Sequence, residues 1–155
     1  MNVRQSYIMG NMLNILLIED DADDIELLEE ALRSNDVQYS MSSIMEGDKV
    51  GPYLLGGNSI PDVIVLDFNL PKLHGRDILK LIKAADDFKN VPLVVLSTSA
   101  SGEDIAFATG LGANRYITKP TSISDFNKTV GIILSTAAGT SKDTDRHSAV
   151  ESLFE

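Results

Sequence analysis

A chain of 155 residues, 43% of them hydrophobic, is long enough for one domain with a proper core, and its formal net charge of −10 argues against nucleic acid or an anionic membrane surface as a partner, since both demand a basic patch. The absence of cysteine removes disulfides, thiolate metal sites and cysteine nucleophiles. No apolar stretch approaches the roughly 20 residues that span a bilayer, and residues 1–11 lack the apolar core of a signal peptide, so a cytoplasmic protein is expected.

In chain order, periodicity predicts alternating strands and helices. Residues 13–18 are apolar except for Asn14, the pattern of a strand buried on both faces. A helix follows over 22–33, with Ile25, Leu28 and Leu32 on one face and acids opposite. A weakly alternating strand is expected over 37–44, then a short helix over 48–55, broken by Gly51-Pro52 and closed by Gly56-Gly57. The third strand covers 63–66, and a helix over 76–85 should bury Ile78, Leu81 and Ile82. Residues 93–96, after Pro92, form the fourth strand. A helix over 103–109 ends at Gly110 and Gly112, and a short fifth strand over 115–118 stops before Pro120. The last helix, 124–136, turns Phe126, Val130, Ile133 and Leu134 inward.

Strand–helix pairs in succession call for a parallel sheet covered on both faces. The commonest small solution is the α/β flavodoxin-like fold, a doubly wound five-stranded sheet in the order 2-1-3-4-5. Its ligand site lies at the carboxyl ends of strands one and three, where the winding reverses. The expected organisation is an N-terminal extension over 1–12, the domain over 13–138, and a polar tail over 139–155 that is too short for a second domain. Within that tail, 148–154 carries a few apolar residues that a short surface helix would use.

Both expected strand ends at that site deliver acid. Glu19-Asp20-Asp21 follows the first strand, and Asp67 closes the third before Phe68-Asn69-Leu70-Pro71. Asp21, Asp23 and Asp24 read as helix-start residues, where a negative side chain is worth about 0.3–1 kcal/mol. Glu19, Asp20 and Asp67 differ, because carboxylates crowded at the ends of buried strands repel and retain protons unless a cation neutralises them. Mg²⁺ is the natural occupant, being hard, oxygen-seeking and content with one or two carboxylates plus waters. Asp67 can itself accept a phosphoryl group as an acyl phosphate, a transfer that needs cations on the moving oxygens. Mg²⁺ would be one such cation and Lys119, at the end of the fifth strand, another. Ser97 offers a hydroxyl at the same rim, although Ser97-Thr98-Ser99 is equally the composition of a turn. Asn69 would contribute its backbone carbonyl if its turn wraps the metal. His74 reads as an exposed turn residue, and His147 is too distant in sequence to make a metal pair with it.

The segments Ile15-Leu16-Leu17-Ile18-Glu19-Asp20-Asp21, Asp62-Val63-Ile64-Val65-Leu66-Asp67-Phe68-Asn69-Leu70-Pro71, Ser97-Thr98 and Tyr116-Ile117-Thr118-Lys119-Pro120 occur in an order that resembles the receiver (CheY-like) domains of two-component response regulators. The spelling Leu66-Asp67-Phe68-Asn69-Leu70-Pro71-Lys72, followed by Gly75-Arg76, looks like the stand-alone regulators that accompany phytochrome-type histidine kinases. The resemblance implies that Asp67 is the phosphoacceptor. It implies that Asp20 binds Mg²⁺ directly, Glu19 through water and Asn69 through its main-chain carbonyl. Ser97 would be the switch hydroxyl, Lys119 the partner of the phosphoryl oxygens with a cis bond to Pro120, and Tyr116 the aromatic whose rotamer follows the switch.

The implied donor is a histidine kinase and the implied output is binding to a downstream protein, with a homodimer through the last strand–helix face a further expectation. His74 stands where the family usually has Asp, and Ser97 where Thr is commoner; neither removes a group the phosphotransfer needs. Two rivals are a small-molecule phosphatase or phosphotransferase with an aspartyl nucleophile, and a binding module that never receives phosphate. The first usually needs a cap insertion, for which the short connections leave no place, and the complete acid, hydroxyl and lysine set argues against the second.

Overall fold

The computed structural model describes residues 10–138. The expected tail, and all but the last three residues of the expected N-terminal extension, lie outside the described residues, as does His147. The elements are β1 (Leu13–Ile18), α1 (Ala22–Ser34), β2 (Tyr39–Ile44), a 3₁₀ turn (Gly47–Lys49) running into α2 (Val50–Leu55), β3 (Val63–Asp67), α3 (Gly75–Ala84), β4 (Leu93–Ser97), α4 (Gly102–Gly110), β5 (Arg115–Thr118) and α5 (Ile123–Ala137). All strand pairs are parallel and the sheet order is β2-β1-β3-β4-β5, the flavodoxin-like arrangement that the alternating pattern predicts.

Strand side chains alternate between two cores. Leu16, Ile18, Ile64, Leu66, Leu93 and Val95 pack with Ile78, Leu79 and Ile82 of α3 and Ala108 of α4. Leu13, Ile15, Leu17, Val63, Val65 and Val94 face the other way, onto Leu28 and Leu32 of α1 and Val130, Ile133 and Leu134 of α5. Every residue of β3 and β4 is buried. Two strands with no solvent face read as unbroken apolar runs, so the acid and hydroxyl that end them stand out.

Several boundaries differ from the sequence reading for identifiable reasons. β2 begins at Tyr39 rather than 37 because the chain first closes α1: the Val37 amide donates to the Leu32 carbonyl, and Asp36 takes a left-handed φ of 58°. Gly51-Pro52 does not break α2. The helix starts at Val50, so both residues sit in the first turn, where a missing N–H loses nothing. Leu81 is 40% exposed and Leu79 is buried in its place. Gly75, Ile78, Leu79 and Ile82 occupy an arc of about 100° around α3, and Leu81 falls beyond its edge. β3 and β4 each run one residue further than predicted, so that Asp67 and Ser97 are the last residues of their strands.

The turn after β3 is held by a close approach. A Cβ added at Gly75 would overlap both the backbone and the ring of Phe68. Only glycine lets α3 begin this near the strand end, and the Gly75 amide donates to the Phe68 carbonyl at 3.1 Å across the gap. His74 caps the helix, its Nδ1 accepting from the Arg76 amide at 3.0 Å, the service an Asp would perform there.

Candidate functional site

β1 and β3 are neighbours with Ile18 opposite Leu66, so the next residue of each, Glu19 and Asp67, emerges at the same height. Asp20 follows at the rim. One carboxylate oxygen from each of Glu19, Asp20 and Asp67 lies within 4.8 Å of the others. Glu19 and Asp67 are buried and Asp20 is half-buried. The Glu19 Oε2 accepts from the amides of Asp20 at 3.0 Å and Asp21 at 3.4 Å, and Asp67 Oδ1 accepts from the Asn69 amide at 3.0 Å. These bonds fix both carboxylates while leaving their remaining oxygens turned toward the common space.

Among the described residues, Lys119 supplies the ammonium that meets these acids. Its amide donates to the Ser97 carbonyl at 2.8 Å, which anchors it beyond the end of β5. Its Nζ lies 2.7 Å from Glu19 Oε1, 2.8 Å from Asp24 Oδ2 and 3.3 Å from Asp67 Oδ2. No cis peptide occurs among the described residues, so the bond to Pro120 is trans rather than the expected cis. Trans is favoured intrinsically by about 0.5–1 kcal/mol, and from it Lys119 already reaches all three carboxylates.

The electrostatics follow from crowding. Burial, and then the shared hydrogen bond and charge of Asp67, push the Glu19 carboxyl up to about 8 despite the nearby ammonium. Burial opposes the charge on Lys119, but bonds to Asp24 and Glu19 outweigh it and hold the ammonium above its ordinary value. A donor set made only of oxygens, with one member driven to keep its proton, is an arrangement that fits a hard divalent cation.

Ser97, Asn69 and Tyr116 are also brought to this end of the sheet. The Ser97 side chain is fully buried, its Oγ accepting from the Ser99 amide at 3.0 Å and the Asn69 side-chain amide at 3.4 Å. The Asn69 amide also donates to Thr98 Oγ1 at 2.7 Å, so its side chain ties the turn after β3 to the turn after β4. Tyr116 is buried. Its hydroxyl donates to the Ser99 carbonyl at 2.8 Å, and its ring meets Phe68 edge-on at 5.8 Å between centroids.

Sequence reasoning missed two parts. Asp24, read as a helix-start acid, is bonded to Lys119; the available signal was that α1 opens with two consecutive acids, of which only one can face the sheet end. The second is a clamp around the loop after β4. Ser99 Oγ donates to Asp104 Oδ2 at 2.8 Å, and Arg76 holds Asp104 Oδ1 through Nε at 3.0 Å and a terminal nitrogen at 2.7 Å. The guanidinium lies 4.8 Å from the centre of the Phe107 ring. Arg76, then Ser99, holds the Asp104 carboxyl below the usual carboxylate range. Nothing in the spacing of Arg76 and Asp104 announces this pair.

Comparison with known proteins gives a consistent setting. Residues 15–131 match the response regulator receiver domain model. Response regulator Rcp1 of Synechocystis is 34% identical over 121 residues, 75% of this chain and 82% of that protein. A probable methanogenesis regulatory protein, FilR2 of Methanothrix harundinacea, is 33% identical over 75% of this chain and 77% of its own length. Among solved structures, the phosphorylated cyanobacterial phytochrome response regulator RcpA superposes with a TM-score of 0.75 at 36% identity, covering 85% of this chain and 98% of that one. The Mn²⁺-bound form of Rcp1 superposes with a TM-score of 0.71 at 34% identity, covering 79% and 92%.

Proposed function

The chain belongs to the response regulator receiver domain family, and from that premise we propose that it accepts a phosphoryl group on Asp67 from a histidine kinase and signals by a change in protein binding. The observation that carries the assignment to Asp67 is its place. It is a buried carboxylate ending a fully buried strand, with Lys119 Nζ at 3.3 Å and an all-oxygen acid cluster beside it. Its Oδ2 attacks the phosphorus of the donor's phosphohistidine. The phosphorus–nitrogen bond breaks, its electron pair stays on the imidazole nitrogen, which takes a proton from solvent, and Asp67 becomes an acyl phosphate.

Asp20 and Asp67 would hold Mg²⁺ directly, Glu19 through water and Asn69 through its main-chain carbonyl. The ion would neutralise charge on the phosphoryl oxygens as they transfer. The chain's own groups do the rest. Asn69's amide aims Asp67 by holding Oδ1 at 3.0 Å, which leaves Oδ2 to react. Lys119 meets the phosphoryl oxygens with N–H donors now spent on carboxylates.

The new charge is then read by Ser97 and Lys119. The Ser97 hydroxyl only accepts from the Ser99 and Asn69 nitrogens, so its own proton is free to be donated to a phosphoryl oxygen, and a shift of Ser97 toward that oxygen would loosen the loop whose carbonyl holds Tyr116. Tyr116 then follows as the switching aromatic. The result is a shift between two packings, biased by charge-assisted hydrogen bonds. Hydrolysis of the acyl phosphate resets the chain, which acts as a signalling switch.

The likeness to Rcp1 and RcpA supports a phytochrome-type kinase as the donor. A homodimer through β5 and its flanking helices remains the assembly this reading expects, and the cytoplasm its compartment. No helix among the described residues is long and apolar enough to cross a membrane.

Incubation with acetyl phosphate and Mg²⁺, followed by intact-mass measurement, tests the reading. The wild type should gain one phosphoryl group only when Mg²⁺ is present, and Asp67→Asn should gain none. A wild type that stays unmodified while taking up Mg²⁺, or an Asp67→Asn variant that loads equally, would overturn Asp67 as acceptor.

A further inference from the structure

Lys119 faces Asp67, but Asp67 is the most distant of its three partners. An ammonium has three N–H donors, and three side chains surround this one: Asp24 and Asp67 accept hydrogen bonds from it, and Glu19 Oε1 lies 2.7 Å away. Glu19 and Asp67 belong to the oxygen cluster suited to a cation, and Asp24 does not. A cation drawing on that cluster competes with Lys119 for the oxygens of Glu19 and Asp67. It leaves uncontested the bond to Asp24.

Asp24 is well placed for a fixed hold. It sits in the first turn of a helix of 13 residues whose N-terminus is closed by Asp21, the side chain of which accepts from the amides of Asp23 and Asp24. The Lys119 stem is largely enclosed: its side chain is 16% exposed and lies beside Leu17, Leu28, Leu96, Pro120 and Phe126. With the stem confined, its charge partners set where the ammonium points. A helix-dipole role requires only negative charge near the N-terminus. A bond of 2.8 Å to one ammonium, made across 95 positions of sequence, requires direction as well.

The geometry points to Asp24 as a positioning residue that holds the Lys119 ammonium at the mouth of the acid cluster, in place for the phosphoryl oxygens that arrive on Asp67. This inference rests on the reading of Asp67 as phosphoacceptor. Asp24 touches neither the donor nor the reacting atoms; it acts through Lys119.

The test compares Asp24→Ala, Asp24→Glu, Asp23→Ala, Lys119→Ala and the Asp24→Ala/Lys119→Ala double variant. Loading from acetyl phosphate with Mg²⁺ is timed by intact mass, and hydrogen exchange of the Lys119 ammonium is followed by NMR in metal-free protein. Asp24→Ala should load roughly two- to fivefold more slowly, the range a partly exposed ion pair supports. Asp24→Glu should recover much of that rate, and Asp23→Ala, at the same helix end, should load like wild type. In the Lys119→Ala background, removing Asp24 should change nothing further, and in Asp24→Ala the ammonium protons should exchange faster.

Unchanged loading by Asp24→Ala would overturn the inference while leaving Asp67 as acceptor intact. An equal slowing in the Lys119→Ala background would also overturn it, since Asp24 would then act by bulk charge. A wild type that fails to load would instead sink the reading of Asp67. The exchange of the Lys119 ammonium would then decide Asp24's hold by itself, with an unaltered rate refuting it.

Discussion

Metal-free protein should lose stability as the pH rises from about 5 to 8.5, and neutralising Asp67 should lessen that loss. Burial and Asp67 push the folded Glu19 carboxyl from 4.5 to about 8. Between those two values the folded chain keeps a proton that the unfolded chain has released, so stability falls with rising pH across this window. The interval of about 3.5 pH units, at about 1.4 kcal/mol per unit, gives a ceiling near 5 kcal/mol. Relaxation and water entry lower such ceilings, and roughly 2–3 kcal/mol is the working expectation. For a chain of this length that amounts to about 6–9 °C in Tm.

Lys119 is held above its ordinary value and does not titrate in this window, and Asp104, held below its own, acts only under more acid conditions. Asp67→Asn removes one of the causes acting on Glu19. The variant should lose less over the same range and stand above wild type at pH 8.5, while burial, the largest cause, keeps part of the slope. Thermal unfolding followed by circular dichroism in EDTA, in half-unit pH steps, measures both slopes. Parallel curves for wild type and Asp67→Asn, or a wild type that gains stability from pH 5 to 8.5, would refute the reasoning.

Three other perturbations bear on separate parts of the molecule. Mg²⁺ at about a hundred times its dissociation constant should stabilise the protein by about 2.7 kcal/mol. Asp20→Asn should abolish most of this gain, as titration calorimetry and Tm together would show. Gly75→Ala places a methyl against the backbone and ring of Phe68 and should cost about 1–3 kcal/mol in urea unfolding, where an unchanged midpoint would contradict the close approach. Asp104→Ala leaves Arg76 and the Ser99 hydroxyl without their shared acceptor and should cost about 0.5–1 kcal/mol near neutral pH, since the pair is partly open to solvent. Because the Asp104 carboxyl is held low, its contribution is present above 3.8 and is lost as pH falls through its depressed value, so wild type and variant should converge in acid.

Much of the fold could be read from periodicity because the sheet is buried on both sides. Runs such as 63–66 and 93–96 have no alternative role, and the polar residue after each run marks the strand's useful end. Glu19, Asp20, Asp67 and Lys119 were legible for a related reason, since charged groups adjoining such runs need partners. Leu81 was misplaced because an apolar residue on the flank of a helix face has the same local pattern as one at its centre. Asp24 was passed over because the helix-start explanation was locally sufficient. The Arg76–Asp104 clamp joins the first turns of α3 and α4, and its distance depends on how two helices settle against the sheet rather than on any spacing along the chain. The trans bond at Pro120 departs from what the resemblance implies, not from any rule about the residues themselves.

The gathering of Glu19, Asp20, Asp24 and Asp67 around one ammonium also bears on which donors are admitted. Every phosphoryl donor is an anion, and the chain it approaches carries a formal charge of −10. With Asp20, Asp24 and Asp67 gathered around the Lys119 ammonium at the mouth, and Glu19 keeping its proton, the cation-free protein still meets stray metabolite phosphates with repulsion, felt over about one Debye length, ~8 Å at physiological salt. A donor gains entry when a cation has offset that field, or when a partner protein's own contact surface presses the phosphate into place. The acid surplus at the sheet end thus works as a filter on who can write to the switch.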